Sequence, residues 1–156
     1  MSEIRIESDP HASESLKQAV IDHLDTYNVG VTGLTEFSPV NFFLRDGGRE
    51  VLGGLLGGIW GGVLYVRILW VAQALRGQGH GRRLLEAAER RAVERGCRHV
   101  FLDTFSFQAP GFYAKQGYEI YARAEDWPVG HAHLFLRKAL PARGQALRSD
   151  NVERKT

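Results

Sequence analysis

The sequence predicts an α/β fold, a central twisted mixed sheet of α+β type flanked by helices on both faces, and three observations carry that expectation. A hydrophobic run, Val63 to Val71, turns through Arg76-Gly77-Gln78-Gly79-His80-Gly81-Arg82 into an amphipathic stretch, Arg82 to Arg95. A second apolar run, Val100 to Thr104, follows, so strand, helix and strand form a parallel crossover. Asp46-Gly47-Gly48 between two further runs marks a hairpin, which brings antiparallel pairing into the same sheet.

The elements follow in order. Ile4 and Ile6 alternate with Arg5 and Glu7, a short first strand that Asp9-Pro10 ends. A helix is expected next, with Asp9 as cap, Pro10 in its first turn and Leu16, Ala19, Val20 and Leu24 on one face. Tyr27 to Gly33 lacks a period and reads as a loop or a broken second helix. Asn41 to Arg45 and Glu50 to Leu56 are the hairpin strands, and Gly57-Gly58 with Gly61-Gly62 punctuate a turn around Ile59-Trp60. Leu64 to Val71 is apolar on both faces, as a central strand is. In the helix that follows, Leu84, Leu85, Ala88, Ala92 and Val93 form the buried stripe. Arg83, Glu86, Arg90 and Glu94 face water, with i,i+4 pairs at Glu86/Arg90 and Arg90/Glu94. Gly96 ends it. Tyr118 to Ala122 and His133 to Arg137 are closing antiparallel strands, joined by a loop containing Trp127-Pro128-Val129-Gly130-His131. The apolar pattern stops at Pro141, which gives one domain over 1–140 and a flexible tail over 141–156.

Composition narrows the function. The 44% hydrophobic and 24% charged content is that of a soluble globule. Cys97 is the single cysteine, so no internal bridge forms and a reducing cytoplasm is the expected setting; between Gly96 and Arg98 it reads as a packed residue, not a nucleophile. The N-terminus shows no apolar segment behind basic residues, and the apolar stretch Val51 to Val71 is broken by six glycines and carries Arg67. Secretion and membrane spanning are therefore not expected. A formal charge of +2 is too small to imply nucleic acid, and basic and acidic residues are interleaved, so no nucleic-acid partner is expected. Positive charge gathers only around the glycine turn, at Arg76, Arg82 and Arg83.

A strand that turns through glycines into a helix leaves backbone N–H groups aimed at one point, where the helix dipole favours an anion. Spacing says which anion site this is. After Gly77 and Gly79 the third Rossmann glycine would fall on Arg82, and Gly81 is followed by Arg82-Arg83 instead of the P-loop's Lys-Ser or Lys-Thr. What remains, Arg-x-x-Gly-x-Gly, resembles the pyrophosphate-binding signature of the GNAT superfamily of N-acetyltransferases. Asp103 to Tyr118, with Ser106, Ala109, Phe112-Tyr113 and Gly117-Tyr118, resembles that family's second signature. The likeness runs from about Thr35 to Leu140. It departs from the family at Ser106, where asparagine is common.

The resemblance implies a GNAT-like fold and an enzyme that moves an acetyl group from acetyl-CoA to a primary amine, expected to belong to a small molecule. It implies that Leu69, Trp70 and Val71 pair through their backbone with the pantetheine arm. It also places Arg76, Gly77, Gln78, Gly79, His80, Gly81, Arg82 and Ser106 against the cofactor. Tyr113 matches the family's general acid: a phenol of ordinary pKa near ~10 stays protonated at neutral pH and can protonate a departing thiolate. No metal is implied. The base is open among Glu36, Asp103, His131 and His133, or a water chain, with Asp103 on the strand facing the cofactor strand and His131 after the Pro-Val-Gly turn. Trp60, Trp70, Phe105, Phe107 and Tyr27 are candidates to line an acceptor cleft or to fill the core. A protein or peptide acceptor, and a non-catalytic acyl-CoA-binding module, are the competing readings. Apolar surface around Trp60 and the glycine-rich hairpins leads to the expectation of a homodimer.

Overall fold

A computed structural model describes residues 4–145, so the expected tail lies outside the described residues from 146 onward. The chain divides into two compact units, Met1–Glu36 and Phe37–Thr156. The first unit is one helix, α1 (Glu14–Thr32). No strand forms over residues 4–7, contrary to the alternation of Ile4 and Ile6, which is too short to hold a ladder by itself. Nor does Asp9 cap the helix. Its carboxylate accepts the His11 N–H at 3.0 Å in a local turn, and Ser13 takes the cap instead, its Oγ accepting the Leu16 N–H at 3.2 Å. The segment from Tyr27, read as a loop or a broken second helix, continues α1 unbroken through Thr32. Gly33 ends it at φ 69°, its N–H donating to the Val29 carbonyl at 2.8 Å.

The second unit is built on a six-stranded mixed sheet in the order β1-β2-β3-β4-β6-β5. Its strands are β1 (Ser38–Arg45), β2 (Val51–Trp60), β3 (Val63–Val71), β4 (His99–Phe105), β5 (Glu119–Glu125) and β6 (Ala132–Ala139). β3 and β4 pair in parallel, and every other neighbour is antiparallel. Asp46 makes the first hairpin as expected, its Oδ1 accepting the Gly48 and Glu50 N–H groups at 2.9 and 3.0 Å. The second hairpin turns only at Gly61-Gly62. Gly57 and Gly58 lie inside β2, where a Cβ on Gly57 would stand 2.4 Å from the Tyr65 carbonyl oxygen. Gly57 is there for close strand approach rather than for a turn.

Between β3 and β4 runs α2 (His80–Glu94), which packs on β1, β2 and β3. Leu84, Leu85, Ala88 and Ala92 are buried with Leu55, Leu64, Val100, Leu102 and Leu136 in one core, and Val93 packs against it. The helix's water-facing pairs differ from the expected ones: Arg82 bonds Glu86 at 3.2 Å and Arg91 bonds Glu94 at 3.4 Å. Glu89, charged yet only 2% exposed, breaks the amphipathic pattern. It accepts from the Tyr118 hydroxyl at 2.8 Å and from Lys138 Nζ at 2.9 and 3.1 Å, so α2, the turn that follows α3 (Pro110–Lys115) and β6 meet at one buried carboxylate. Cys97 is buried and free, and burial pushes its thiol pKa up, which keeps it unreactive.

Candidate active site

Two strands that begin as neighbours part company halfway along. The parallel ladder joins Val63 to His99 and continues only to Val66 and Leu102, while β3 runs on to Val71 and β4 to Phe105. At the same level the β2–β3 register skips Arg67: Leu56 opposes Ile68, and Gly57 opposes Val66. A bulge there turns the rest of β3 away from β4. The gap opens a cavity of about 860 Å³, within the ~300–1,000 Å³ usual for ligand sites.

One end of the cavity is the glycine turn. A 3₁₀ turn over Gln73–Leu75 leads from β3 to Gly77 and Gly79, which sit in the left-handed region at φ 74° and 82°. A Cβ on either would meet nothing within 4 Å, so the space before the turn is open. α2 begins at Gly79 with no side-chain cap, which leaves its first N–H groups free for an anion. Arg76, Gly77, Gly79, His80, Gly81 and Arg82 line this end, and Leu69, Trp70 and Val71 line the β3 wall. Arg76 also steadies the turn, its Nε donating to the Val71 carbonyl at 3.0 Å. Two expected contacts fall elsewhere. Gln78 does not line the cavity; its amide donates to the Ala74 carbonyl at 3.0 Å and closes the 3₁₀ turn. Ser106 is also outside the lining, because it is spent on the sheet: its N–H donates to the Ala132 carbonyl at 2.8 Å and its Oγ accepts the Ala132 N–H at 3.0 Å.

Two titratable groups also line the cavity. Tyr113, on α3, lines the cavity and is otherwise buried among Phe112 and Tyr118, with ring centroids at 5.1 and 6.0 Å. Burial first, and then the charge of Asp103, hold its phenol above the ordinary pKa, so it remains a proton donor. Asp103 lies on the same wall. Along β4, Val100, Leu102 and Thr104 are buried, which leaves Phe101, Asp103 and Phe105 to the opposite face. Both Asp103 oxygens are engaged: Oδ1 accepts from the Tyr65 hydroxyl, and Oδ2 lies 2.6 Å from His133 Nε2. His133 is buried beneath three rings, stacked on Phe105 and packed against Trp127 and Phe135, each centroid at 4.4 Å.

Of the proposed bases, Asp103 is therefore in the cavity wall and His133 directly behind it. His131 is not in the lining; it packs edge-on to Phe107 at 4.9 Å, and its N–H donates to the Pro128 carbonyl. Glu36 ends the first unit. Trp70 and Phe107 do line the cavity, whereas Trp60 and Phe105 do not. Sequence reasoning missed Tyr65, hidden in an apolar run, and Gln108, whose Oε1 accepts from Thr104 Oγ1 at 2.8 Å and the Phe105 N–H at 3.0 Å. Only the parallel register, with Tyr65 beside Phe101, puts Tyr65 within reach of Asp103. Among the described residues no cluster of His, Cys, Asp and Glu could hold a metal.

Residues 4–118 match the model of one family, the acetyltransferase (GNAT) family. The chain belongs to it. The chain is 43% identical over 91 residues to the blasticidin-S acetyltransferase of Streptomyces morookaense, covering 57% of this chain and 67% of that protein. It is 36% identical over 127 residues to an acetyltransferase of Agrobacterium fabrum, covering 81% and 93%. The crystal structure of an acetyltransferase from Bacillus cereus superposes with a TM-score of 0.76 at 31% identity, covering 86% of this chain and 98% of that one. The protein is thus a GNAT acetyltransferase, and the family uses acetyl-CoA. The residues present fit that cofactor: an open glycine turn before an uncapped helix suits a pyrophosphate, and the unpaired stretch of β3 offers backbone groups to an amide-bearing arm. No helix is long and apolar enough to cross a membrane among the described residues.

Proposed function

We propose that this acetyltransferase acts on a primary amine of a small molecule, with Tyr113 as general acid and Asp103 as the group that receives the amine's proton. The observation that carries the reading is that Tyr113 and Asp103 line the same cavity as the glycine turn. Arg76, Gly77, Gly79, His80, Gly81 and Arg82 would hold the pyrophosphate of acetyl-CoA, and Leu69, Trp70 and Val71 its pantetheine arm. When bound, acetyl-CoA supplies an acetyl thioester whose transfer leaves a thiolate in need of a proton.

The chain's own residues close the proton balance. Asp103 accepts a hydrogen bond from the incoming ammonium and takes its proton, leaving the lone pair free to attack. Tyr65 and His133 fix the carboxylate by binding both its oxygens. Tyr113, kept protonated by burial, gives its proton to the leaving sulfur as the C–S bond breaks; the amine nitrogen sheds its second proton as the amide forms, which restores the Tyr113 hydroxyl, and the first passes from Asp103 to water. A small acceptor is supported by the likeness to a protein named for blasticidin S. The test is release of free CoA from acetyl-CoA with a panel of small amines headed by blasticidin S. Turnover on at least one is expected; acetyl-CoA binding without turnover on any would refute the small-amine reading.

A further inference from the structure

We propose that the acceptor is an amine that also bears a carboxylate, its ammonium held at Asp103 and its carboxylate at Arg67. The inference rests on the acetyl-transfer reading above and narrows its substrate class.

Arg67 and Asp103 both line the cavity, and they are opposite charges on the two strands that part. Arg67 is the residue skipped by the β2–β3 register, and the last β3–β4 pair, Val66 with Leu102, lies just before it. Its place in the wall is thus set by the same bulge that opens the site. Among the described residues it makes no ion pair, whereas Arg82, Arg91, Arg123 and Arg137 all have carboxylate partners. Both charges act at one point: Asp103 pushes the Tyr65 phenol's pKa up, after burial, and Arg67 pulls it down.

Arg67 is badly placed for the cofactor's phosphates. An extended strand rises ~3.3 Å per residue, so the four steps from Arg67 to Val71 span about 13 Å, with the glycine turn further on. Arg76 and Arg82 already stand at that turn. A cavity wall with one fixed cation and one fixed anion leaves a charge unpaired when a plain amine binds, and pairs both with a zwitterion. The guanidinium's planar fork suits a carboxylate in particular. Trp70 and Phe107 offer apolar surface for the body between the two charges.

The experiment compares free amino acids with their methyl esters: L-lysine, β-alanine and L-phenylalanine, each as acid and ester, followed by CoA release, with acetyl-CoA affinity measured by calorimetry. A charged hydrogen-bond partner corresponds to a preference of about 10–100-fold in kcat/KM for the acid over its ester. In Arg67→Gln that preference is expected to vanish while acetyl-CoA affinity stays as in the parent, and Arg67→Lys is expected to restore part of it. Esters acetylated as well as acids, a preference that survives Arg67→Gln, or acetyl-CoA bound with no acid acetylated would each overturn the proposal. Failure of the parent to bind acetyl-CoA would instead overturn the acetyl-transfer reading, and the zwitterion with it.

Discussion

Replacing Lys138 with Met probes how a charge buried in an amphipathic helix is tolerated. The substitution keeps most of the stem's volume and removes the ammonium that bonds both Glu89 oxygens at 2.9 and 3.1 Å. Glu89 is 2% exposed, so its carboxylate would be left with one neutral donor, the Tyr118 hydroxyl at 2.8 Å. Breaking a buried pair by removing one partner costs ~3–5 kcal/mol. The Lys138 side chain is 24% exposed, so water shares the pair and the cost is discounted to about 2–3 kcal/mol. For a chain of this size each kcal/mol lowers Tm by about 2–4 °C, which gives a fall of about 4–12 °C. Thermal and urea unfolding of Lys138→Met, Glu89→Leu and the double variant measure it. The double variant is expected to be more stable than the sum of the single losses implies, because it leaves no orphaned charge. A Lys138→Met protein melting within about 2 °C of the parent, or strictly additive losses, would refute the argument. The latch also bears on the site, since the Tyr118 N–H donates to the Tyr113 carbonyl at 3.1 Å.

Tyr113→Phe keeps the ring packing and removes the hydroxyl; kcat is expected to fall ~10²–10⁴-fold with acetyl-CoA affinity and Tm nearly unchanged, and an undiminished chemical step in single-turnover kinetics would reduce Tyr113 to a packed aromatic. Because a general acid must be protonated and the Tyr113 pKa is raised from 10.0, any alkaline loss of kcat that this residue causes is expected above pH 10. Tyr65 gives a second alkaline marker. Its phenol is pushed up from 10.0 to about 12, first by burial and then by its bond to Asp103, so the folded state holds that proton more tightly than the unfolded chain does. That contribution to stability is full below pH 10 and lost as pH rises through about 12, so the urea-midpoint gap between the parent and Tyr65→Phe is expected to shrink across that window. A gap that does not change with pH would contradict it.

What was legible in the sequence is what local chemistry determines. The turn at Asp46, the glycine turn, the α2 stripe and the crossover to β4 depend on residues close together in the chain, and each formed within a residue or two of its expected place, although the first hairpin's strands run three residues further back and four further on than expected. The misses come from competition that local pattern cannot weigh. Asp9 could cap a helix, but Ser13 did so better once Pro10 had closed a turn of its own. Gly57-Gly58 looks like a turn by composition, yet at Gly57 the β3 backbone approaches so closely that only glycine fits, and at Gly58 the Phe37 ring takes the space. Ser106 and Gln78 carry polar groups at motif positions, and the backbone claimed both. The Asp103 cluster was beyond local reading for a different reason. Tyr65, Asp103 and His133 come from three strands, and their meeting depends on a parallel register on one side of β4 and an antiparallel one on the other. Period-2 alternation puts Phe105 opposite His133 and Asp103 opposite Phe135, so all four share a face. A one-residue shift of the β4–β6 ladder would turn His133 to the other face, and one of the β3–β4 ladder would do the same to Tyr65, each leaving Asp103 without one of its partners. The arrangement of Tyr65, Asp103 and His133 is therefore a property of strand pairing; if Asp103 takes the amine's proton as proposed, mutations that weaken the β4–β6 ladder far from the cavity are expected to lower kcat through it.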